Sequence, residues 1–203
     1  MAVTRGAQTR QAILDAAIVR FGRDGYRSTS VADIARDAGV GSTITYAYFP
    51  NKEALFFAAL DEDAAAVMQD GLVQVFEDTD PREWRESLLL TLIDAVETHP
   101  LARRVLSGLE PTVTDRVIDI PAMAELRKAV ADRLRSEQLA GTIRLDIDPV
   151  AIANGSITII LSLMMSVLQI GRSSVLALGG DVFAVFQAAL EEPASERPKG
   201  SKG

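Results

Sequence analysis

The chain is 203 residues long, 48% apolar and 24% charged, which allows one large domain or two small ones with a packed core and argues against disorder. It has no cysteine, which excludes disulfides, thiolate metal clusters and a cysteine nucleophile, and its one histidine, His99, excludes a paired-histidine metal site. The formal charge of −7 hides an asymmetry: residues 1–52 hold seven Arg/Lys against four Asp, and the rest hold fourteen basic against twenty-four acidic groups, as expected of a DNA-contacting head on a body that stays clear of DNA. No catalytic residue, metal or cofactor is expected.

Helical periodicity runs through the chain. Ile13, Leu14, Ala17, Ile18 and Phe21 make one apolar stripe, and Gly22 and Gly25 are expected to end that first helix. Ser30 is placed to cap a second helix, with Asp33 three residues on and Gly39 as its stop. A third is predicted over about Ser42 to Tyr48, terminated by Phe49-Pro50, and Asn51 caps a fourth that runs to about Phe76. Asp80-Pro81-Arg82-Glu83 reads as N-cap, N1 proline and N3 acid of a helix to about Thr98. Pro100 opens a shorter one that fades at Gly108, and residues 109–120 carry no clear period. A helix from Pro121 to about Leu139 ends at Gly141, and Asp148-Pro149 starts another that Gly171 ends. Gly179-Gly180 is expected to break the last helical region, Ser173 to Leu190. No useful strand alternation and no internal repeat occurs, so the chain reads as all-α. The expected division is a head over 1–52, a helical body over 53–192 and a disordered tail over 193–203.

The polar N-terminus lacks the apolar stretch of a secretory signal, which points to the cytoplasm. Val150 to Ile170 carries no charge for twenty-one residues, enough to span a bilayer. Asn154, Ser156, Thr158, Ser162, Ser166 and Gln169 interrupt it, however, and a helix buried among others or against a second subunit has the same composition. No membrane partner is expected.

Three short helices followed by a long one, with Ala35, Gly39 and Val40 around a tight junction, form a helix-turn-helix candidate. After the turn, GSTITYAYFPNK concentrates Ser42, Thr43, Thr45, Tyr46, Tyr48 and Lys52, although Thr and Ile are mediocre helix formers. Hydroxyls and phenols can donate to phosphate oxygens, and Ser/Thr and apolar tips can meet base edges. Lys52 adds its charge to the free amides at a helix start. The plain alternative makes Tyr46 and Tyr48 core residues and Lys52 a solvated surface lysine.

Residues 9–60 resemble the N-terminal DNA-binding domain of TetR-type transcriptional regulators. The matching elements are Ala16-Ala17, Phe21, Gly25-Tyr26, Thr29-Ser30, Ile34-Ala35, Ala38-Gly39-Val40, Tyr46, Tyr48-Phe49 and Lys52-Glu53. Gly141 to Pro149 also resembles the linker before the dimerisation helices of many members. The resemblance implies a homodimer whose paired recognition helices enter successive major grooves of a pseudo-palindromic operator, with an effector pocket in the body. It implies that Ser42, Thr43 and Ile44 face base edges and that Tyr46, Tyr48 and Lys52 hold phosphates. Thr29 or Ser30 would do so from the second helix, and Arg5 and Arg10 would form an N-terminal arm. Members usually carry a large apolar residue just before the first tyrosine, where this chain has Thr45. Either Ile44 supplies that packing through a small rotation, leaving Thr45 on the DNA side, or Ile44 faces DNA and the core is slightly underfilled. Ser42 and Ala47 stand where many members have a basic residue, so fewer charge contacts are expected from this helix.

In the body, Met68, Phe76, Trp84, Leu88, Leu106, Met123, Met164 and Met165 are candidate liners of a cavity for a largely apolar small-molecule effector, since Met and aromatics adapt to varied apolar ligands; each is also plausible as ordinary core. His99 before Pro100 suits a capping or surface role better than ligand binding. Helices 149–170 and 173–190 are expected to pair with a second copy as a four-helix interface containing Leu161. The expected function is a ligand-responsive DNA-binding repressor. The alternatives are a helical adaptor or membrane-associated protein, or an all-helical enzyme using acids such as Asp61, Glu62 and Asp63.

Overall fold

The computed structural model describes residues 5–78 and 84–191, and every regular element among them is helical. The head consists of α1 (Arg5–Ser28), α2 (Val31–Asp37) and α3 (Ser42–Tyr48). Ile13, Leu14, Ala17 and Phe21 of α1 are fully buried, as their spacing requires. Gly22 does not end α1. The helix continues to a kink at Gly25, whose φ of 83° and ψ of 166° only glycine adopts freely. The smallness of Gly22 serves packing instead: a Cβ there would stand 2.7 Å from the Pro100 Cβ. Ser30 caps α2, its Oγ accepting from the Asp33 N–H at 3.1 Å. Gly39, at φ 69°, turns the chain out of α2, and Val40 N–H donates to the Ala35 carbonyl at 2.9 Å. Phe21, Tyr26 and Phe56 form an edge-to-face ring cluster that joins the head to the next helix, with centroids 5.1 Å apart for each pair that includes Phe56.

That next helix, α4 (Lys52–Asp78), starts at the Asn51 cap, where Oδ1 accepts from Ala54 N–H at 2.8 Å. Then follow α5 (Trp84–Val96), α6 (Pro100–Leu106), a 3-10 helix (Thr114–Asp119), α7 (Pro121–Leu139), α8 (Pro149–Ile170) and α9 (Arg172–Leu190). The aperiodic stretch before Pro121 thus holds a 3-10 turn. Proline opens α6, α7 and α8, where its missing N–H costs nothing. Gly179-Gly180 does not break α9, which runs unbroken to Leu190 and packs along α8. A glycine costs a helix only about 1 kcal/mol relative to alanine, which packing can offset. The proposed cap at Asp80-Pro81 and the tail 193–203 lie outside the described residues.

α4 is the spine of the body. It packs against α1, α5, α6 and α7, and its acids hold neighbouring helix ends. Asp61 Oδ1 accepts from Ala122 N–H at 2.8 Å, at the start of α7. Asp63, buried, accepts from Leu101 and Ala102 N–H at 2.9 and 2.8 Å, at the start of α6. Both satisfy amides that a helix N-terminus leaves free. His99 is wedged beside them, Nδ1 3.0 Å from Asp63 and Nε2 3.3 Å from Asp70. Glu62 accepts from Gln11 of the head at 3.3 Å. The three acids considered for an enzyme are therefore occupied as caps and ties. By length and composition α8 could cross a membrane. Ala153, Ile157, Ile160, Met164 and Val167 are buried in the body, and α8 packs on α5, α6, α7 and α9.

Candidate nucleic-acid interface and effector cavity

The seven-residue α3 has one inward position and an outward face. Thr45 is 0% exposed and Phe49, just beyond the helix, is buried, so these two pin α3 to the head. Ile44 is 47% exposed, and Thr43, Tyr46 and Tyr48 are also exposed, with Ser42 half-buried. Of the two orientations open to the sequence, α3 takes the one that turns Ile44 out. Thr45 is accordingly withdrawn from the expected DNA-contacting set: its side chain cannot reach a groove without unseating the helix. Its Oγ1 is buried without a hydrogen-bond partner. Tyr46 and Tyr48 are surface residues rather than core.

The phosphate candidates are placed unevenly. Thr29 is also buried, and its hydroxyl donates to the Gly25 carbonyl at 2.8 Å, so it fixes the α1–α2 corner instead of facing outward. Ser30 is exposed at the start of α2, engaged with Asp33. Lys52 is half-buried, its ammonium 4.5 Å from the Tyr26 ring centroid and donating to the Arg27 carbonyl at 3.4 Å. Burial holds its pKa below the ordinary lysine value. The start of α1 lies against the end of α3: a Cβ on Gly6 would stand 3.4 Å from the Tyr48 hydroxyl, and the Arg10 guanidinium sits 5.4 Å from the Phe49 centroid. Arg5 and Arg10, both within α1, are thus exposed beside α3.

The head's charge is less balanced at this face than its sum suggests. Arg23 holds Asp24, Arg36 holds Asp33 and Arg20 holds Asp37. Hydrogen bonds from Arg23 to Asp24, from Ser30 and then Arg36 to Asp33, and from Arg20 to Asp37 keep these carboxyls below their ordinary range. Among the described residues Arg5, Arg10 and Arg27 enter no ion pair, which leaves unneutralised cations available to an anionic polymer.

The head matches the profile of bacterial regulatory proteins of the tetR family over residues 13–59. Beyond the head, the chain is 30% identical over 149 residues to the HTH-type transcriptional repressor Rv1474c of Mycobacterium tuberculosis, covering 70% of this chain and 72% of that one. The chain belongs to the TetR family. It is a transcriptional regulator with a DNA-binding helix-turn-helix domain. The repressor ComR of Escherichia coli is 46% identical over 52 residues, a match spanning only 26% of this chain and 25% of that protein. A TetR-family regulator from Cytophaga hutchinsonii shares the fold, with a TM-score of 0.71 at 17% identity over 95% of this chain and all of that one (100%).

Among the described residues, two of the spaces in the body of this TetR-family chain are small and mostly apolar. The first, about 50 Å³, is lined by α4, α5, α6, the 3-10 helix, α7 and α8, and all its lining side chains are apolar. Met68, Leu106, Met123 and Met164 line it, and so does Leu161. Leu161 is half-buried, so changing it would disturb the core of one chain as well as any subunit interface. The second, about 20 Å³, lies between α5, α7, α8 and α9 and takes in Trp84 and Leu88. Met165 lines neither of these two and packs half-buried against the core. The Phe76 side chain lies outside the described residues. Sequence reasoning missed the buried ionic groups: Glu110 with Arg104, and Glu137 with Arg85 and Arg133. Arg85 is 52 residues from Glu137 and Glu110 lies in an aperiodic loop, so no local pattern marks those two pairs; the i,i+4 spacing of Arg133 and Glu137 on α7 was the one signal available.

Proposed function

We propose that the chain is a ligand-responsive repressor that binds a pseudo-palindromic operator as a homodimer in the cytoplasm. The observation that carries this reading is the exposed face of α3, where Ser42, Thr43, Ile44, Tyr46 and Tyr48 stand outward while Thr45 and Phe49 lock the helix in place. Ser42, Thr43 and Ile44 are assigned to base edges, and Tyr46, Tyr48, Ser30 and Lys52 to phosphates, with Arg5 and Arg10 adding contacts from α1. Lys52 reaches a phosphate by swinging off the Tyr26 ring. Residues 1–52 form the reading head, and 53–192 form the effector-binding and dimerisation body. The names of Rv1474c and ComR favour repression over activation.

Dimerisation through α8 and α9 places the two heads about one helical turn apart, ~34–36 Å, in the DNA-competent form. A largely apolar effector enlarging the first cavity would push on α4 and α6, change that separation and release the operator. The test is selection of bound sequences from a random duplex pool, followed by gel shifts over a salt series. The expected result is an enriched inverted repeat whose affinity falls steeply with salt. A pool that stays random, or binding indifferent to salt, would overturn the reading.

A further inference from the structure

The second body cavity contains a charge that its surroundings do not fully satisfy. Arg85, on the first turn of α5, is 16% exposed and lines this otherwise mostly apolar space. Its Nη2 donates to Glu137 Oε2, but its Nε is buried with no hydrogen-bond partner. Nε and Nη2 form the edge of a guanidinium that grips a carboxylate in the two-pronged manner, and here only one prong is used. Glu137 is itself shared: its Oε1 also accepts from Trp84 Nε1 at 2.6 Å and from Arg133 Nε at 3.3 Å. Two guanidinium groups thus share one buried carboxylate, an excess of one positive charge. Burial lowers the Arg85 pKa and Glu137 opposes that shift. A buried donor without a partner is costly, and a ligand acceptor would relieve that cost.

This charged corner adjoins the apolar cavity. Ile157 and Ile160 of α8 line both spaces, and Leu88 and Leu92 of α5, one turn apart, line the second and the first. The two cavities therefore run end to end along α5 and α8. Ser156 supplies the only hydroxyl among the residues lining the charged end. We infer that the body binds an amphipathic carboxylate, with its alkyl chain in the apolar cavity and its acid group on the unpaired Nε of Arg85 beside Ser156. Chain entry parts the Ile157 and Ile160 side chains and repacks the methionines of the first cavity, whose present volume is below that of such a chain. This inference names the effector class for the ligand-responsive reading and rests on it for its consequence at DNA, but not for binding itself.

The experiment is calorimetric titration of the full chain, without DNA, with decanoate and with 1-decanol, which share a chain and differ in charge. Decanoate is expected to bind at least tenfold more tightly. Arg85→Gln is expected to remove at least that tenfold preference while leaving decanol affinity within twofold, and Arg85→Lys, which keeps the charge but loses the fork, should fall between. The wild-type comparison stands even if a variant folds poorly. Equal affinity for the two probes, no binding of either, or a preference that survives in Arg85→Gln would each overturn the assignment. A gel shift on the selected operator separates the two readings. Decanoate that binds but leaves the complex intact sinks ligand-responsiveness and leaves the site standing; release by an uncharged compound alone does the reverse.

Discussion

Thr45 shows what one residue decides. Ile44 and Thr45 are neighbours, so on a helix of 3.6 residues per turn they point ~100° apart, and a modest rotation of α3 would exchange their roles. Both orientations were compatible with the sequence pattern, which flagged a small polar residue in an apolar slot without saying which way the helix turns. Packing settles it: Phe49 and the α1 stripe fix α3 with Thr45 inward, even though its hydroxyl is left without a partner. A buried unsatisfied hydroxyl costs ~1–3 kcal/mol, and valine has nearly the same shape without it. Thr45→Val is therefore expected to raise unfolding stability by about 1 kcal/mol, read as a higher urea midpoint with unchanged slope. Operator affinity should stay within twofold, because the side chain does not reach the surface. A lower midpoint, or a large loss of binding with stability intact, would contradict the inward placement. Thr29 teaches the same lesson from the other side. Its residue type suited a phosphate contact, but its hydroxyl is consumed by the kink at Gly25.

At the scale of elements, most helix boundaries were legible because their signals are local: Ser30, Asn51, Asp148, the N1 prolines and Gly39 all act within a turn. What joins the elements was not legible. Asp63 accepts from Leu101 N–H in the first turn of a helix, across a separation of 38 residues, and Glu110 accepts from Tyr26 N–H at 3.1 Å across a separation of 84 residues. Glu110 also accepts from Arg104 Nε at 2.7 Å, and Arg104 Nη1 donates to the Arg23 carbonyl at 3.4 Å. The kinked end of α1 is thus tied to the end of α6, while Gly22 sits against Pro100 at the start of α6. Head and body meet along α6 at both ends, and α6 also walls the apolar cavity. Any motion of α6 would therefore reach the head directly. Gly22→Ala tests the seat. In an unobstructed helix this change stabilises by about 1 kcal/mol. Here the new Cβ would stand 2.7 Å from Pro100 Cβ and 2.8 Å from its carbonyl carbon, so backbone must shift. A net destabilisation of ~1–3 kcal/mol is expected, seen as a lower thermal midpoint, together with altered operator affinity. A higher midpoint would show that α1 and α6 are not closely seated.

For the molecule as a whole, the uncharged helix posed the widest choice, because composition alone does not distinguish lipid, core and a second subunit. One face of α8 is core, and the other exposes Asn154, Gly155, Thr158, Ile159 and Ser162, continuing on α9 with Ala184, Val185 and Ala188. Gly155, Ser162, Ala184 and Ala188 on this face are small, which lets two helices approach closely, and Ile159 and Val185 add exposed apolar surface. The hydroxyls are turned onto their own helix: Thr158 donates to the Asn154 carbonyl at 2.8 Å, and Ser162 and Ser166 donate to Thr158 and Ser162 carbonyls at 2.9 Å each. Burying this face against a second copy would therefore strand few donors, which is what a four-helix interface needs. Val185 is 64% exposed and Ile159 38%, so neither contributes much to the fold of one chain, unlike the half-buried Leu161. The double change Ile159→Asp with Val185→Asp places four carboxylates in the paired interface of a dimer and only two on the surface of a monomer. Helical content should stay the same. Sedimentation should show a monomer, and operator affinity should fall at least tenfold because the two half-sites are no longer bound together. A double variant that still sediments as a dimer would move the interface away from α8 and α9, and with it the account of how the head separation is set.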